Sequence, residues 1–252
     1  MNRPYARRSQ GAGGLPGRLV VLFGQCGIIA HEGTLADEGE PLYEEEAVLV
    51  QGASEKRRRD FVAGRRYARA ALARLGIFDF PLLAGTDRAP VWPGAVVGSI
   101  THTEVGTTGY CGAAVAHRRL LAGLGIDAEP RLPLPVELWP QVLNPDEGRT
   151  VLAAEQPGVQ ARLVFSAKEA AYKAIYPLHG RFLDFSDVRI RFLPTPGCFV
   201  AELAGSAQPS APGAQLLGRF LMDQELLVTA VLLPASGSPL AQEWLSPELV
   251  PC

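Results

Sequence analysis

The 252-residue sequence predicts an α+β fold of two similar halves, each an antiparallel sheet with a long helix. Two observations carry this. A 3.6-residue apolar period runs through "ASEKRRRDFVAGRRYARAALARLG", and a second helical pattern begins near "FSAKEAAYKAIY". Each helix is accompanied by short β-like runs separated by turn residues, which is the pattern of antiparallel strands.

Residues 1–17, rich in Arg, Gly and Pro, read as a mobile arm, and 18–126 as the first half. Arg18 to Gly24 reads as a first strand. In the basic helix, Phe61, Ala68, Leu72 and Leu75 share one face, Ser54 caps the start and Gly76 ends it. A Pro-interrupted loop, "APVWPG", leads into the strands "AVVGSITHT", "TGYCGAAVAH" and "LLAGLGIDAE", with His117-Arg118-Arg119 as a turn. Residues 127–233 form the second half. A Pro-bounded region at 130–160 precedes the second helix. A meander follows: "VRIRFL", "CFVAELA", "GRFLM" and "ELLVTAVLL", with "GSAQPSAPGA" as a surface loop and Asp223-Gln224 as a turn. Residues 234–252 read as a loosely held tail.

Composition excludes several classes. Hydrophobic residues at 47% and charged residues at 20% describe a globular chain with a substantial core. A net charge of −2 argues against nucleic acid or an anionic membrane as the main partner. Cys26, Cys111, Cys198 and Cys252 are scattered, forming neither a disulfide framework nor a zinc site, which fits a reducing, cytoplasmic setting. "LVVLFGQCGIIA" resembles a signal core, but Gly24, Gln25 and Gly27 interrupt it. No run approaches the ~18–20 apolar residues of a membrane span.

Four clusters carry candidate chemistry. In "LGIDAEP", Asp127 and Glu129 share one face of a strand, with Cα atoms about 6.5–7 Å apart. Carboxylates about 5 Å apart repel by roughly 3 kcal/mol at an effective dielectric of ~20, so one takes a proton or a cation sits between them. A hard cation such as Mg²⁺ suits an all-oxygen site. The plain alternative is that both acids face solvent. In "FSAKEAAYK", Lys168, Glu169 and Lys173 fall in the first turns of the helix, where Ser166 and Glu169 also spell a capping box and Glu169–Lys173 an ordinary ion pair. On the basic helix, Lys56, Arg57, Arg58, Arg59, Arg65, Arg66 and Arg69 surround the apolar face, with only Glu55 and Asp60 as acids near its start. Arginine there suits phosphate recognition, against the alternative of a solvated face. In "GSITH", His102 closes a strand after Ser99 and Thr101; it is a phosphate donor or an ordinary packed histidine.

Together, "RRRDFVAGRRYARAAL", "APVWPGAVVGSITH", "GIDAEP" and "FSAKEAAYKA" resemble the 4′-phosphopantetheinyl transferases of the larger, pseudo-dimeric type, in particular the actinobacterial and enterobactin-type branch. The resemblance spans about residues 50 to 193. It implies two halves related by pseudo-twofold symmetry with coenzyme A between them, and a monomer. It implies Asp127, Glu129 and Glu169 as Mg²⁺ ligands, with Mn²⁺ as a substitute. Lys168 and Lys173 would face the pyrophosphate and carrier serine. Ser99, His102, Arg57, Arg65 and Arg88 would bind the coenzyme, His102 at the 3′-phosphate. Arg88 stands in "TDRAP", where the preceding acid departs from the pattern. The implied reaction moves 4′-phosphopantetheine to a serine of apo acyl or peptidyl carrier proteins in siderophore, polyketide or peptide synthesis, releasing adenosine 3′,5′-bisphosphate. Glu169 is then the base, Lys173 the acid, and Asp127 the third catalytic group; "HGRFLDF" is a candidate carrier contact. A non-catalytic coenzyme A or carrier-binding module, and a nucleic-acid binder built on the arginine helix, are the competing readings.

Overall fold

The computed structural model describes residues 17–37, 41–180, 182–203, 216–240 and 244; most of the expected N-terminal arm, the "GSAQPSAPGA" loop and the end of the expected tail lie outside them. The first half contains α1 (Arg18–Phe23), β1 (Ile29–Gly33), α2 (Glu44–Val48), α3 (Glu55–Arg74), β2 (Val96–Thr103) and β3 (Tyr110–His117). The second contains β4 (Leu121–Pro130), α4 (Trp139–Val142), α5 (Pro145–Leu152), α6 (Pro157–His179), β5 (Val188–Phe192), β6 (Cys198–Leu203), β7 (Leu216–Met222) and β8 (Leu226–Pro234). Two antiparallel sheets result, ordered β1-β3-β2 and β4-β8-β7-β6-β5. The fold is α+β, with α3 serving the first sheet and α6 the second.

Helix α3 forms where its sequence dictates. The Ser54 side chain accepts from the Arg57 amide, Phe61, Ala68 and Leu72 are buried, and Gly76 leaves the helix at φ +78°. Three expectations need correction. Arg18 to Gly24 is helix α1, not a strand. Leu19, Leu22 and Phe23 are buried at helical spacing, and the Glu32 carboxylate of β1 accepts the Arg18 and Leu19 amides at its N-terminus. A carboxylate arriving from another element leaves no local signal. The tail is held where it is described: Leu240 and Trp244 are buried, and the Trp244 ring lies 5.6 Å from that of Phe23. Third, α6 begins at Pro157, so Ser166 lies nine residues inside it. The Ser166 hydroxyl sits 2.9 Å from Thr229 Oγ1, and no capping box exists there.

Strand β4 positions everything that follows. Its even residues, Leu124, Ile126 and Ala128, enter a core shared with α1, β2, β3 and Trp244. Beyond the register shift at 121–123 its odd residues face α6, and two of them are glycines. A Cβ at Gly125 would stand 1.8 Å from the Ala170 carbonyl oxygen, and one at Gly123 would stand 2.3 Å from that of Ala174. Without side chains there, the α6 backbone rests directly on the strand. The whole of β4 belongs to the second sheet, so the chain changes sheet in the turn before Leu121, not at 126–127.

Gly125→Ala is therefore expected to lower stability by about 3 kcal/mol or more, because the obstructing atoms are backbone. Gly148, inside α5 with nothing near its missing Cβ, provides the opposite case. Gly148→Ala should raise stability by about 0.5–1 kcal/mol. Urea midpoints of both variants check the pair.

Candidate functional site

The close seat of α6 on β4 brings the expected acids and one lysine together. Lys173 Nζ donates to Asp127 Oδ1 at 2.7 Å and to the Ile126 carbonyl at 3.1 Å, reaching to the strand. Glu129 accepts from Arg162 at 2.7 Å, and the same guanidinium donates to the Leu132 and Pro133 carbonyls. Asp127 Oδ2 is buried without a hydrogen-bond partner. Burial raises the Glu169 carboxyl above its ordinary range, with Lys173 opposing and Asp127 adding to the shift. Burial and then Asp127 likewise raise Glu129, against Arg162 and Lys173. Both other acids thus lie within reach of the Asp127 charge.

An all-oxygen set of this kind suits a hard divalent cation, and the buried Oδ2 of Asp127, without a hydrogen-bond partner among the described residues, would be one of its ligand atoms. As folded, no three His, Cys, Asp or Glu side chains among the described residues are gathered closely enough to coordinate an ion. Arg162 holds Glu129 and Lys173 holds Asp127 Oδ1. A three-carboxylate set therefore requires these side chains to rearrange.

The cationic residues line a cavity of about 570 Å³ beside this face, walled by Arg57, Asp60, Arg65, Arg88 and His102 with Phe61 beneath. Arg65 is buried. Its Nε donates to the Leu82 carbonyl at 3.0 Å, its guanidinium lies 3.9 Å above the Phe61 ring, and one terminal nitrogen has no partner. Burial lowers its pKa to about 10, so it stays charged at neutral pH. His102 stands 4.0 Å from Asp60. Burial lowers its pKa; Asp60 opposes this, while Lys173, Arg57 and Lys56 reinforce it. Its coupling to both Arg57 on α3 and Lys173 on α6 ties the cationic wall to the acidic face.

Two expected ligands sit elsewhere. Lys168 is not at the site: it is 1% exposed, and its ammonium is enclosed by Glu147 at 2.7 Å and the carbonyls of Val142 and Phe185. One residue of helix rotates a side chain by about 100°, which turns Lys168 away from the face bearing Glu169. Ser99 faces the cleft region, but its Oγ accepts the Ile126 amide at 3.0 Å and so stitches β2 to β4. Arg69, on the basic stripe, is paired with buried Glu46 at 2.6 Å. Sequence reasoning missed Arg162. It lies seven residues before Glu169, on the same helical face, and becomes visible only once α6 is extended back to Pro157.

Carboxylates on one side of the cleft face Arg57, Arg65 and Arg88 on the other, none of which has a carboxylate partner among the described residues, an arrangement suited to a phosphate-rich ligand. Residues 44–116 match the model of the 4′-phosphopantetheinyl transferase N-terminal domain, and 123–229 that of the 4′-phosphopantetheinyl transferase superfamily. Over 200 residues the chain is 44% identical to the 4′-phosphopantetheinyl transferase Svp of Streptomyces mobaraensis, covering 77% of this chain and 79% of the relative. It is 39% identical to Npt of Nocardia iowensis over 193 residues, covering 73% and 85%. It is 38% identical to PptT of Mycobacterium tuberculosis over 197 residues, covering 75% and 85%. The chain belongs to the 4′-phosphopantetheinyl transferases of the larger type.

Lys168→Met, which strands Glu147 in the interior, should cost about 3–5 kcal/mol of stability. Calorimetry on the folded variant should find coenzyme A affinity unchanged, while Lys173→Met alters it. Lost affinity at unchanged stability in Lys168→Met would return that lysine to the site.

Proposed function

We propose that the chain transfers 4′-phosphopantetheine from coenzyme A to a serine of apo carrier proteins, with the nucleotide in the 570 Å³ cavity and the diphosphate at Asp127 and Lys173. The observation that carries this reading is the Lys173–Asp127 contact, which lies between the cationic wall and the acids. Arg57, Arg65 and Arg88 would bind the nucleotide phosphates. His102 donates to the 3′-phosphate, whose negative charge favours the protonated ring. Asp127, Glu129 and Glu169 would hold Mg²⁺, or Mn²⁺ in its place, which supplies charge neutralisation at the diphosphate when bound.

The nucleophile is the carrier's serine hydroxyl. Its oxygen bonds to the β-phosphorus, the bond from that phosphorus to the bridging oxygen breaks, and adenosine 3′,5′-bisphosphate leaves. Glu169 takes the serine proton; its raised pKa makes it a stronger base than an exposed glutamate. Lys173 stabilises the charge that develops on the departing oxygen. Lys168 has no part in this step. The chain acts as a monomer in the cytoplasm; the reducing compartment is supported by Cys111 and Cys198, buried thiols outside any disulfide among the described residues. No helix among the described residues is long and apolar enough to cross a membrane. The "HGRFLDF" segment, whose Arg181 lies outside the described residues, is the candidate carrier contact: its Phe182 is 72% exposed.

Incubation with coenzyme A, Mg²⁺ and an apo carrier should add one phosphopantetheine mass to the carrier, and chelation should abolish the gain. Glu169→Gln should lose about 10²–10⁴ in turnover, the usual worth of a general base. Near-wild-type turnover of that variant at saturating Mg²⁺ would remove Glu169 from the chemistry.

A further inference from the structure

One stripe of α6 carries three charged groups. Arg162, Glu169 and Lys173 fall within about 40° of one another at about 100° per residue. Opposite them, Asp127 and Glu129 share one face of β4. The pairing runs in reverse along the two elements: Lys173 donates to Asp127 and Arg162 to Glu129, each at 2.7 Å. The two cations are separated by about 16 Å of helix, the two acids by only about 6.5–7 Å of strand. Both long side chains therefore lean inward, and two of the three acids are held by cations of the chain itself.

Arg162 is anchored independently of Glu129. Its Nε donates to the Leu132 carbonyl at 3.1 Å, and one terminal nitrogen donates to the Pro133 carbonyl at 3.0 Å. The segment that supplies these carbonyls is held without the arginine. The Arg131 amide donates to the Glu225 carbonyl at 2.8 Å, and the Leu134 amide donates to the Gly158 carbonyl at 2.9 Å. Pro133 also lies against Gly158, where an added Cβ would stand 2.6 Å from the proline Cβ. Two main-chain acceptors thus fix the planar fork, and its other terminal nitrogen is aimed at Glu129. Such a guanidinium keeps its place whether or not the carboxylate stays. The glutamate, with three rotatable side-chain bonds, is the partner that can move.

We propose that Arg162 is a resident counter-cation: before a divalent ion binds it occupies Glu129, and the ion must take the carboxylate from it. Arg162 is a positioning residue, touching Glu129 and not the ligand. The inference rests on the reading of Asp127, Glu129 and Glu169 as the acids that hold the metal. Its consequence is that, without coenzyme A, the chain binds the ion more weakly than three uncommitted carboxylates would, because one charge-assisted pair is broken on binding.

Mn²⁺ binding to the full chain without coenzyme A, followed by the electron paramagnetic resonance of the free ion, tests this. Wild type, Arg162→Met, Glu129→Gln and the double variant should be compared. Arg162→Met should tighten the Kd for Mn²⁺ about five- to tenfold, since the pair no longer has to be broken. Damage to the fold would weaken binding instead. Urea midpoints follow the folded state, and Arg162→Gln takes the place of the methionine variant if that one does not fold. In the Glu129→Gln background the same change should alter Kd by less than about twofold, because the two residues act through one contact. Unchanged or weaker binding in folded Arg162→Met overturns the proposal. Equal tightening in the Glu129→Gln background also overturns it, because Arg162 would then act only as a nearby charge. Asp127→Asn separates the two readings. Mn²⁺ bound as tightly by that variant as by wild type lies away from the acids, and sinks the metal reading and the proposal together. Binding lost in Asp127→Asn, with no gain in Arg162→Met, sinks the counter-cation alone.

Discussion

The contact between α6 and β4 governs this molecule. Side chains normally hold a helix about 10 Å from a sheet, and at Gly123 and Gly125 that spacer is missing. The absence lets Lys173 reach both the Ile126 carbonyl and Asp127 from one helical position. It also sets Arg162 against Glu129, about three helical turns before Lys173. The other face of the strand meets the first half, where the Ser99 hydroxyl takes the Ile126 amide. One strand therefore carries two of the acids, receives the lysine and joins the halves. Site residues on such an element are held more tightly than residues on a loop.

Each half also contains a buried glutamate that organises its long helix. In the first, Glu46 pairs with Arg69 of α3 and accepts the Tyr43 and Leu82 amides. In the second, Glu147 pairs with Lys168 of α6 and accepts the Asn144 and Ile190 amides. Both glutamates occupy the third position of a short helix, and both bind a cation on the long helix that follows. The same device thus occurs twice, in different residues, once beside each long helix. A buried pair gains little net stability over apolar packing, since desolvation offsets its attraction. What it fixes is register: an unpaired glutamate or lysine in either interior would cost far more than a slipped apolar contact.

This explains what the sequence made legible. Helix α3, strands β2, β3 and β4 and the final meander follow from local period, caps and turn residues, and the structure has them where those signals lie. Helix α1 shares its apolar spacing with a short buried strand, and its cap arrives from Glu32, fourteen residues away from Arg18. The start of α6 was obscured because Pro157 and Gly158 read as a breaker, although proline suits the first turn of a helix. That one boundary misplaced three conclusions. It made Ser166 a cap, put Lys168 in an exposed first turn and hid Arg162. The acids and Lys173 were legible because their chemistry depends on residue type at short spacing. Lys168 was not, because which side of a helix is buried is decided by tertiary packing.

The cleft lacks the satisfaction that Glu46 and Glu147 have. Glu46 and Glu147 have each of their carboxylate oxygens engaged, yet Asp127 Oδ2 and one terminal nitrogen of Arg65 are buried with no partner. Leaving such a group unmet costs roughly 1–3 kcal/mol, more when it is charged. The two orphans have opposite sign and belong to the acidic face and the cationic wall. A diphosphate nucleotide bound with a cation would offer an acceptor to the arginine and a positive centre to the aspartate. A ligand that met both groups would stabilise the folded chain in proportion to its occupancy. The Trp244 indole nitrogen is a further such atom, in the core; the two in the cleft lie where the sequence put its candidate chemistry, which is where a partner outside the chain would meet them.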